Sequence, residues 1–587
     1  MKKQETKLIQ LYTPEGEALM ADRDAIAWSE YPRPQMERES YLCLNGIWDF
    51  AVSEHGETVD FGERIRVPFV PESVLSGIGR RMPKGGMLCY RRTFSLPDGF
   101  MKGRVILHVG AADQIARVVV NGTRMGVHRG GYEPFSFDVT DVLADENTLE
   151  IFVTDELESR VLPYGKQCER RGGMWYTPIS GIWQTVWLES VPEEYIRSLT
   201  FKTDANGAEL TVETSGKCKD GEVVLVCDGE DLFLPVKNGR ARIDVKDPIL
   251  WSPENPHLYR VAVRIGEDVV RSYFALRTLE VREVGGTKRL CLNGEPYFFH
   301  GLLDQGYFSD GIFLPASPSG YENDILTAKK LGFNMLRKHI KVEPALFYYA
   351  CDRLGMVVFQ DMVNNGDYSF FRDTALPTVG IKRLSDKRMH RDADTRRAFL
   401  EGMEQTVRLL SHHPCVCYWT IFNEGWGQFD HAVAYKRLRE LDDTRFIDST
   451  SGWFSPLRKK DTCTDVESLH VYFKPVKVKV EDKPIVLSEF GGYSYRVAEH
   501  ISNLTRNYGY KSFCDKDSLE DALEHLYLHE VLPAIEMGLC AAVYTQLSDV
   551  EDETNGLLTY DRRVEKVSAE RMQSISQALF ATFFKKN

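Results

Sequence analysis

The chain has 587 residues, 43% of them hydrophobic and 27% charged, with a formal net charge of −13. That is the composition of a globular protein too long for one core, so about two to four domains are expected. The acidity argues against nucleic acid or an anionic membrane as the main partner, and it modestly disfavours an anionic substrate unless a local basic pocket overrides it.

The start, Met1-Lys2-Lys3-Gln4-Glu5-Thr6-Lys7, carries basic residues, but no apolar segment of leader length follows. Leu8 to Tyr12 is too short and runs into Pro14-Glu15-Gly16-Glu17. No signal peptide is read, and no apolar run is long enough to cross a bilayer. The 12 cysteines are scattered without a CxxC pair. Cys415 and Cys417 share one face of a predicted strand rather than bridging. This usage fits a reducing compartment, so cytoplasmic residence is expected, and the Asn121-Gly122-Thr123 and Asn503-Leu504-Thr505 sequons then carry no meaning. No metal, phosphate-loop or cofactor signature and no internal repeat is present.

The first third reads as strand and turn. Val105–Val109, Ile115–Val120 with its Asn121-Gly122 turn, and Leu149–Val153 are separated by Gly, Pro and Asp clusters. Ile182 to Glu189 reads as an alternating strand that closes the unit before Val191-Pro192. The pattern predicts an all-β sandwich over 1–192. A second β segment over 193–282 includes Glu222–Val226, Arg260–Arg264 and Ser272–Leu276. Its length suits an immunoglobulin-like β-sandwich, although it lacks the Cys–Trp–Cys hallmark.

From about Gly285 the rhythm becomes strand, helix, strand. Candidate strands are Tyr297–Leu303, Phe333–Arg337, Met356–Asp361, Val416–Asn423, Arg445–Ser449, Glu467–Tyr472, Pro484–Glu489 and Ala541–Gln546. Helical stretches between them include Tyr321–Leu331, Pro344–Leu354, Thr395–Leu410 and Ala432–Glu440. Eight strands predict a C-terminal (β/α)8 TIM barrel over 283–587, with its chemistry at the C-terminal strand ends.

Two glutamates end two of these apolar runs. Glu424 follows the fourth strand, and Glu489 ends the seventh before Phe490-Gly491-Gly492. A carboxylate at such a place is costly unless it has a use. Strands four and seven face each other across a barrel mouth, so the pair suits a retaining glycosidase. One carboxyl protonates the leaving oxygen and the other attacks the anomeric carbon, about 5–5.5 Å apart, against roughly 6.5–9.5 Å in an inverting enzyme. Asn423 is placed to hydrogen-bond a sugar hydroxyl beside the reacting carbon. A capping role for Glu424 and a turn role for Asn423 are the competing readings. Arg337, with His339 after it, ends the second strand and is placed to keep the nucleophile ionised; a rim salt bridge is the alternative. Tyr472 ends the sixth strand, as a donor to the nucleophile or as packing.

Asn423-Glu424 after one strand, Ser488-Glu489-Phe490-Gly491 after another and Ser180-Gly181-Ile182-Trp183-Gln184 in the β region together resemble glycoside hydrolase family 2, the family of β-galactosidases, β-glucuronidases and β-mannosidases. Arg170-Arg171-Gly172-Gly173-Met174-Trp175-Tyr176 resembles a substrate-domain loop of some members. Ala275 to Val281, followed by Leu292-Asn293-Gly294-Glu295-Pro296, resembles the passage into the barrel. The resemblance covers nearly the whole chain and implies a jelly-roll, an immunoglobulin-like domain and a barrel in that order. It implies Glu424 as acid/base, Glu489 as nucleophile, Asn423 as the 2-hydroxyl ligand, and Arg337 and Tyr472 as partners of the nucleophile. It also implies a glycoside or oligosaccharide substrate, no cofactor, and a family in which dimers and tetramers are common, so a homo-oligomer is compatible with it.

The departures concern the sugar. Better-known members carry Arg-His-Glu after the first barrel strand, where this chain has Asp304-Gln305-Gly306. Asp304 is an acceptor where a cation is usual, with a first-turn cap as its alternative. β-Glucuronidases of the family hold the sugar carboxylate with Asn-x-Lys, and the stretch Glu553-Thr554-Asn555-Gly556-Leu557-Leu558 has no lysine two residues after Asn555. A carboxylate without a cation is poorly bound, so a neutral sugar is expected and a uronic acid ranks low. Tyr544 or Gln546 is expected in place of the tryptophan that floors the site, and Trp426, or more weakly Trp453, as a stacking platform, with core packing the alternative. Asp361 and His470 are further candidates for sugar hydroxyls, and His339 sits slightly out of register with the family's histidine. Ligands for the magnesium of some galactosidases do not map onto this chain. A retaining exo-β-glycosidase of β-galactosidase-like type is the main reading. A β-glucuronidase, another sugar specificity, or an inactive carbohydrate-binding protein are the alternatives.

Overall fold

The computed structural model describes residues 8–22, 24–53, 59–155, 157–226, 231–369, 373, 386–452 and 463–586. Trp453 lies outside the described residues.

The N-terminal unit is the expected jelly roll. A six-stranded antiparallel sheet runs in the order Glu63–Val67, Gly46–Ser53, Met87–Phe94, Asn147–Thr154, Ile115–Val120, Thr123–Arg129. A four-stranded sheet faces it, in the order Tyr41–Cys43, Val186–Val191, Arg104–Val109, Phe135–Asp138. Trp48, Phe50, Tyr90, Leu107 and Ile151 fill the space between them. Alternation along the strands supplies this core, since every second side chain points inward.

The predicted alternating strand from Ile182 to Glu189 departs from expectation. It splits into Gly181–Ile182 and Val186–Val191, and every residue of the second piece is buried. Its outer face is covered by the segment before the first strand. There Glu189 takes Arg33 at 2.9 Å, Arg38 at 3.2 Å and His108 at 3.0 Å.

The immunoglobulin-like unit packs Ile196–Thr203, Gly207–Thr214 and Arg240–Asp244 against Leu232–Val236, Gly221–Leu225, Tyr259–Ile265 and Asp268–Phe274. Its core is small, built around Leu210, Val223, Val263 and Phe274. A hairpin, Leu279–Val284 with Thr287–Leu292, leads into the barrel.

The barrel strands are β1 (Phe299–Asp304), β2 (Met335–Lys338), β3 (Val357–Asp361), β4 (Val416–Asn423), β5 (Phe446–Ser451), β6 (Glu467–Val471), β7 (Ile485–Gly491) and β8 (Leu539–Thr545). They form one parallel sheet in the order β5-β4-β3-β2-β1-β8-β7-β6, nearly closed, with no ladder joining β5 to β6 among the described residues. Helices Ser319–Lys330, Ala345–Leu354, Ala393–Leu410 and His431–Leu441 fall where the 3.6-residue pattern predicts them. Nearly every strand residue is buried, because a parallel barrel packs side chains on both faces. No helix among the described residues is long and apolar enough to cross a membrane.

Arg38 ties the two β units together. It donates to both oxygens of Asp268 at 3.0 and 2.8 Å, to Glu189 and to the Ile196 carbonyl, all out of water. Arg38→Ala strands Asp268 without its cation, and breaking such a buried pair costs about 3–5 kcal/mol. The first unfolding transition in urea should move down accordingly; an unchanged midpoint would show that water replaces the guanidinium.

Candidate active site

The C-terminal ends of β2, β3, β4, β6 and β7 converge. Arg337 of β2 is the hub. Its Nε donates to Asp361 Oδ1 of β3 at 3.0 Å, one terminal nitrogen to Glu489 Oε1 of β7 at 3.1 Å and to the Ser488 carbonyl at 3.0 Å, and the other to Asn423 Oδ1 of β4 at 2.8 Å. The planar guanidinium suits this task, since its donors are held in a fixed fork.

Glu489 reaches the hub because β7 is irregular. Its register against β6 shifts between Leu469 and His470, so that Leu469 faces Leu487 while His470 faces Glu489. The extra residue is Ser488. Its hydroxyl turns to Ser468 at 2.6 Å and Ser451 at 3.1 Å, while Glu489 is aimed at Arg337. Such bulges re-aim side chains next to active sites. The Tyr472 hydroxyl donates to the other Glu489 oxygen and stacks its ring on Tyr510 with centroids 3.8 Å apart. Burial pushes the Glu489 carboxyl up, but the charges of His470 and Arg337 and the Tyr472 hydroxyl outweigh it and hold the group at about 2.

Glu424 sits just past β4 with φ of 48°, in the left-handed region that non-glycine residues seldom adopt. Its N–H donates to the Ser451 carbonyl at 3.0 Å, and the Trp426 N–H closes a turn onto the Asn423 carbonyl at 2.9 Å. The strained turn swings the carboxylate across the mouth. His470 Nδ1 lies 2.8 Å from Glu424 Oε1 and 3.6 Å from Glu489 Oε2, while Nε2 meets Ser451 at 3.1 Å. The donor atoms of Glu424, His470 and Glu489 all lie within 4.8 Å of one another. The two carboxylates thus have different company: Glu489 is gripped by a fixed cation and a phenol, Glu424 by an imidazole.

Several other expectations change. Asp361 is turned inward rather than toward a sugar: it is buried, with Arg337 on one oxygen at 3.0 Å and His339 Nδ1 on the other at 2.6 Å. His339 is the residue of that pair with a free edge: Nε2 has no partner among the described residues. Burial, with Lys166 adding to it, lowers the His339 imidazole to about 4, leaving it neutral. His470 lies between the glutamates rather than against a sugar hydroxyl. Asp304 is occupied by Lys338 at 2.6 Å and by the Gly306 N–H at 2.8 Å, which is the turn-capping alternative. Gln546 is spent inside a relay, accepting from Gln305 at 2.8 Å and donating to Asn555 at 2.9 Å. Tyr544 packs between Phe490 and Tyr527, away from the mouth. Trp426 is no open platform, for Trp175 of the jelly roll stacks on it at 4.9 Å and Lys166 lies over the ring.

Sequence reasoning missed the second wall of the pocket. Tyr176 donates to Glu553, which also takes Asn555 Nδ2 at 3.1 Å. Lys166 feels Glu553, Glu489 and Glu424 together. The signal was present in part: the loop around Arg170–Tyr176 and the stretch from Glu553 were both singled out, without a reason to join them.

Three family models match the chain. The one described as "Glycosyl hydrolases family 2, TIM barrel domain" covers 286–570, "Glycosyl hydrolases family 2" covers 188–277, and "Glycosyl hydrolases family 2, sugar binding domain" covers 79–192. Among characterised relatives, a β-galactosidase of Thermoanaerobacter pseudethanolicus is 24% identical over 77% of this chain and 58% of its own length. A β-glucuronidase of Bacteroides fragilis is 23% identical over 70% of this chain and 61% of its own. The chain therefore spans about three fifths of these relatives. A solved β-D-glucuronidase of Dictyoglomus thermophilum superposes with a TM-score of 0.71 at 20% identity, over 93% of this chain and 98% of that one, a likeness of fold.

Gly452, just after β5, has φ of 92°, and a Cβ there would lie 3.0–3.1 Å from three atoms of the His470 ring. Gly452→Ala should therefore displace the imidazole from Glu424 and cost about 1–3 kcal/mol in chemical denaturation. Unaltered stability together with an unaltered His470 ring resonance would refute that constraint.

Proposed function

The chain belongs to glycosyl hydrolase family 2, and from that premise we propose that it is a retaining exo-β-glycosidase with Glu489 as nucleophile and Glu424 as acid/base. The observation that carries this reading is the unequal environment of two carboxylates whose oxygens approach within 4.8 Å. Two carboxyls that approach each other in such unlike company suit a nucleophile and an acid/base working on one bond.

In the first step Glu489 attacks the anomeric carbon while Glu424 gives its proton to the departing glycosidic oxygen. A covalent glycosyl-enzyme results. In the second step Glu424 takes a proton from water, which attacks the same carbon and frees Glu489. Each displacement inverts, so the product keeps the β configuration. Arg337 and Tyr472 favour the ionised nucleophile, and His470 orients Glu424. Asn423, fixed by Arg337, is left with its amide N–H groups for the sugar's 2-hydroxyl. We take the units as 1–192, 193–282 and 283–587, with the last carrying the chemistry.

The expectation of a neutral sugar rested on the lysine missing after Asn555. Asn555 is engaged by Gln546 and Glu553, and a buried ammonium arrives instead from the jelly roll. The sugar class therefore turns on Lys166.

Two measurements test the mechanism. Glu489→Gly should lose turnover of aryl β-glycosides by at least about 10⁴-fold, the order seen when a nucleophile is removed. Azide should restore turnover and give the α-glycosyl azide; a β-azide would assign the nucleophile elsewhere. The second concerns pH. Glu489, at about 2, is ionised throughout the ordinary range, so kcat/KM should show no acid limb from it above about pH 3. Tyr472→Phe removes one hydrogen bond to the charged form, raises that pKa and moves the acid limb upward. An acid limb in the same place in both proteins would mean that the hydroxyl does not hold the nucleophile.

A further inference from the structure

Four lysines are buried among the described residues: Lys166, Lys338, Lys341 and Lys566. Three are paired. Lys338 meets Asp304 at 2.6 Å and Glu343 at 3.0 Å, Lys341 meets Glu343 at 2.9 Å, and Lys566 meets Asp549 at 2.6 Å. Lys166 is the exception. It is 6% exposed, yet its ammonium has no hydrogen bond and no carboxylate within 4 Å among the described residues. It lies 4.9 Å from the centroid of the Trp426 ring and 6.0 Å from that of Tyr176. A cation–π contact offsets only part of what an ammonium loses on leaving water.

The position is built. Lys166 belongs to the jelly-roll loop between Asn147–Thr154 and Gly181–Ile182, and the barrel holds that loop. The N–H groups of Tyr164 and Gly165 donate to the Asn364 carbonyl at 3.1 and 3.2 Å, and the Tyr164 hydroxyl donates to the Gly366 carbonyl at 2.7 Å. Gly165 has φ of 67°, and a Cβ there would lie 2.8 Å from the Ile340 carbonyl oxygen. Only glycine allows this approach, and it delivers the next residue into the mouth.

The charges of Glu553, Glu489 and Glu424 favour the ionised ammonium, and the Arg337 guanidinium opposes it. Glu553 has both oxygens occupied, by Tyr176 and Asn555. Trp426 Nε1, under the same ammonium, is another buried donor without a hydrogen-bond partner among the described residues. Two such donors side by side suit an acceptor-rich ligand group. A carboxylate brings the ammonium the counter-charge that a hydroxyl lacks, and it makes the bond from the indole N–H charge-assisted, about twice as strong as a neutral one.

We propose that Lys166, carried into the barrel mouth by the N-terminal β domain, is a specificity-determining residue whose ammonium receives a carboxylate borne by the substrate. The inference rests on the glycosidase reading for the identity of the ligand as a glycoside. Burial lowers the Lys166 ammonium, and a bound carboxylate returns the counter-charge that burial removed. The carboxylate has two possible carriers, the sugar itself and the leaving group.

The test uses full-length protein and two matched pairs of ligands. For the sugar, 4-nitrophenyl β-glucuronide and β-galacturonide are compared with the glucoside and galactoside. For the leaving group, carboxyphenyl glycosides of the neutral sugars are compared with their methyl esters. Lys166→Met should lower kcat/KM by about tenfold or more for whichever pair member bears the carboxylate, and by less than about threefold for its neutral partner. Lys166→Arg should keep the preference. Melting temperatures of both variants check folding. Calorimetric titration of the same ligands into Glu489→Gln protein, with and without Lys166→Met, reads the preference without turnover. Absence of hydrolysis with a Lys166-dependent carboxylate preference would fault the glycosidase reading alone. An equal loss on both members of each pair, or no carboxylate preference before substitution, overturns the proposal.

Discussion

The bonds made by the Arg337 guanidinium are the constraint on which the mouth of this barrel depends. One planar cation touches Asp361, Glu489, Asn423 and the Ser488 carbonyl, and so joins β2, β3, β4 and β7 at their C-terminal ends. Such a cation is costly in an apolar interior unless its donors are matched. Here Asp361 supplies the compensating charge and passes its other oxygen to His339. With that charge balanced locally, the bond to Glu489 helps to keep its carboxylate ionised, and the bond to Asn423 fixes the amide next to Glu424.

The jelly roll is part of this site. Arg171 pairs with Asp552 at 3.2 Å, the Thr177 N–H donates to Glu551 at 2.8 Å, and Tyr176 donates to Glu553. All three partners follow β8. On the other side, the loop before Lys166 is held by the segment after β3. One β-domain segment thus bridges two barrel loops and closes the pocket with Trp175, Trp426 and Lys166. Barrel folds vary their chemistry through such loops; here one wall comes from a separate domain.

What was legible in the sequence follows from range. Strand and helix are written in local periodicity, so the three-unit architecture and all eight barrel strands were readable. Glu424, Glu489, Asn423, Arg337 and Tyr472 were also readable, since each ends a strand and barrel geometry brings such ends together. Asp304 misled because its partner Lys338 lies on the neighbouring strand and turns a candidate ligand into a structural ion pair. Trp426 misled because Trp175, which covers it, belongs to another domain. Lys166 was invisible for the same reason: no local pattern states that a jelly-roll loop enters a barrel, and a buried lysine looks in sequence like a surface one. The absence of a lysine after Asn555 was a sound local observation that left out a cation delivered from afar.

The seam between β5 and β6 shows how the fold makes room for the chemistry. Among the described residues no ladder crosses it; one backbone bond, from the Asp465 N–H to the Ile447 carbonyl at 2.9 Å, stands at its foot, and hydroxyls and an imidazole take over above. Ser451 of β5 meets Ser468 at 3.3 Å and His470 at 3.1 Å on β6, and Ser488 of β7 at 3.1 Å. A ladder would have fixed Ser451 and His470 at the strand–strand spacing of about 4.8 Å with alternating sides. Without it, His470 can lean across to Glu424, aided by the bare Gly452 next to Ser451. The bulge at Ser488 works to the same end on the opposite flank, turning Glu489 toward Arg337. Two interruptions of regular β structure, one between strands and one within a strand, bring the two carboxylates to the same point from opposite sides.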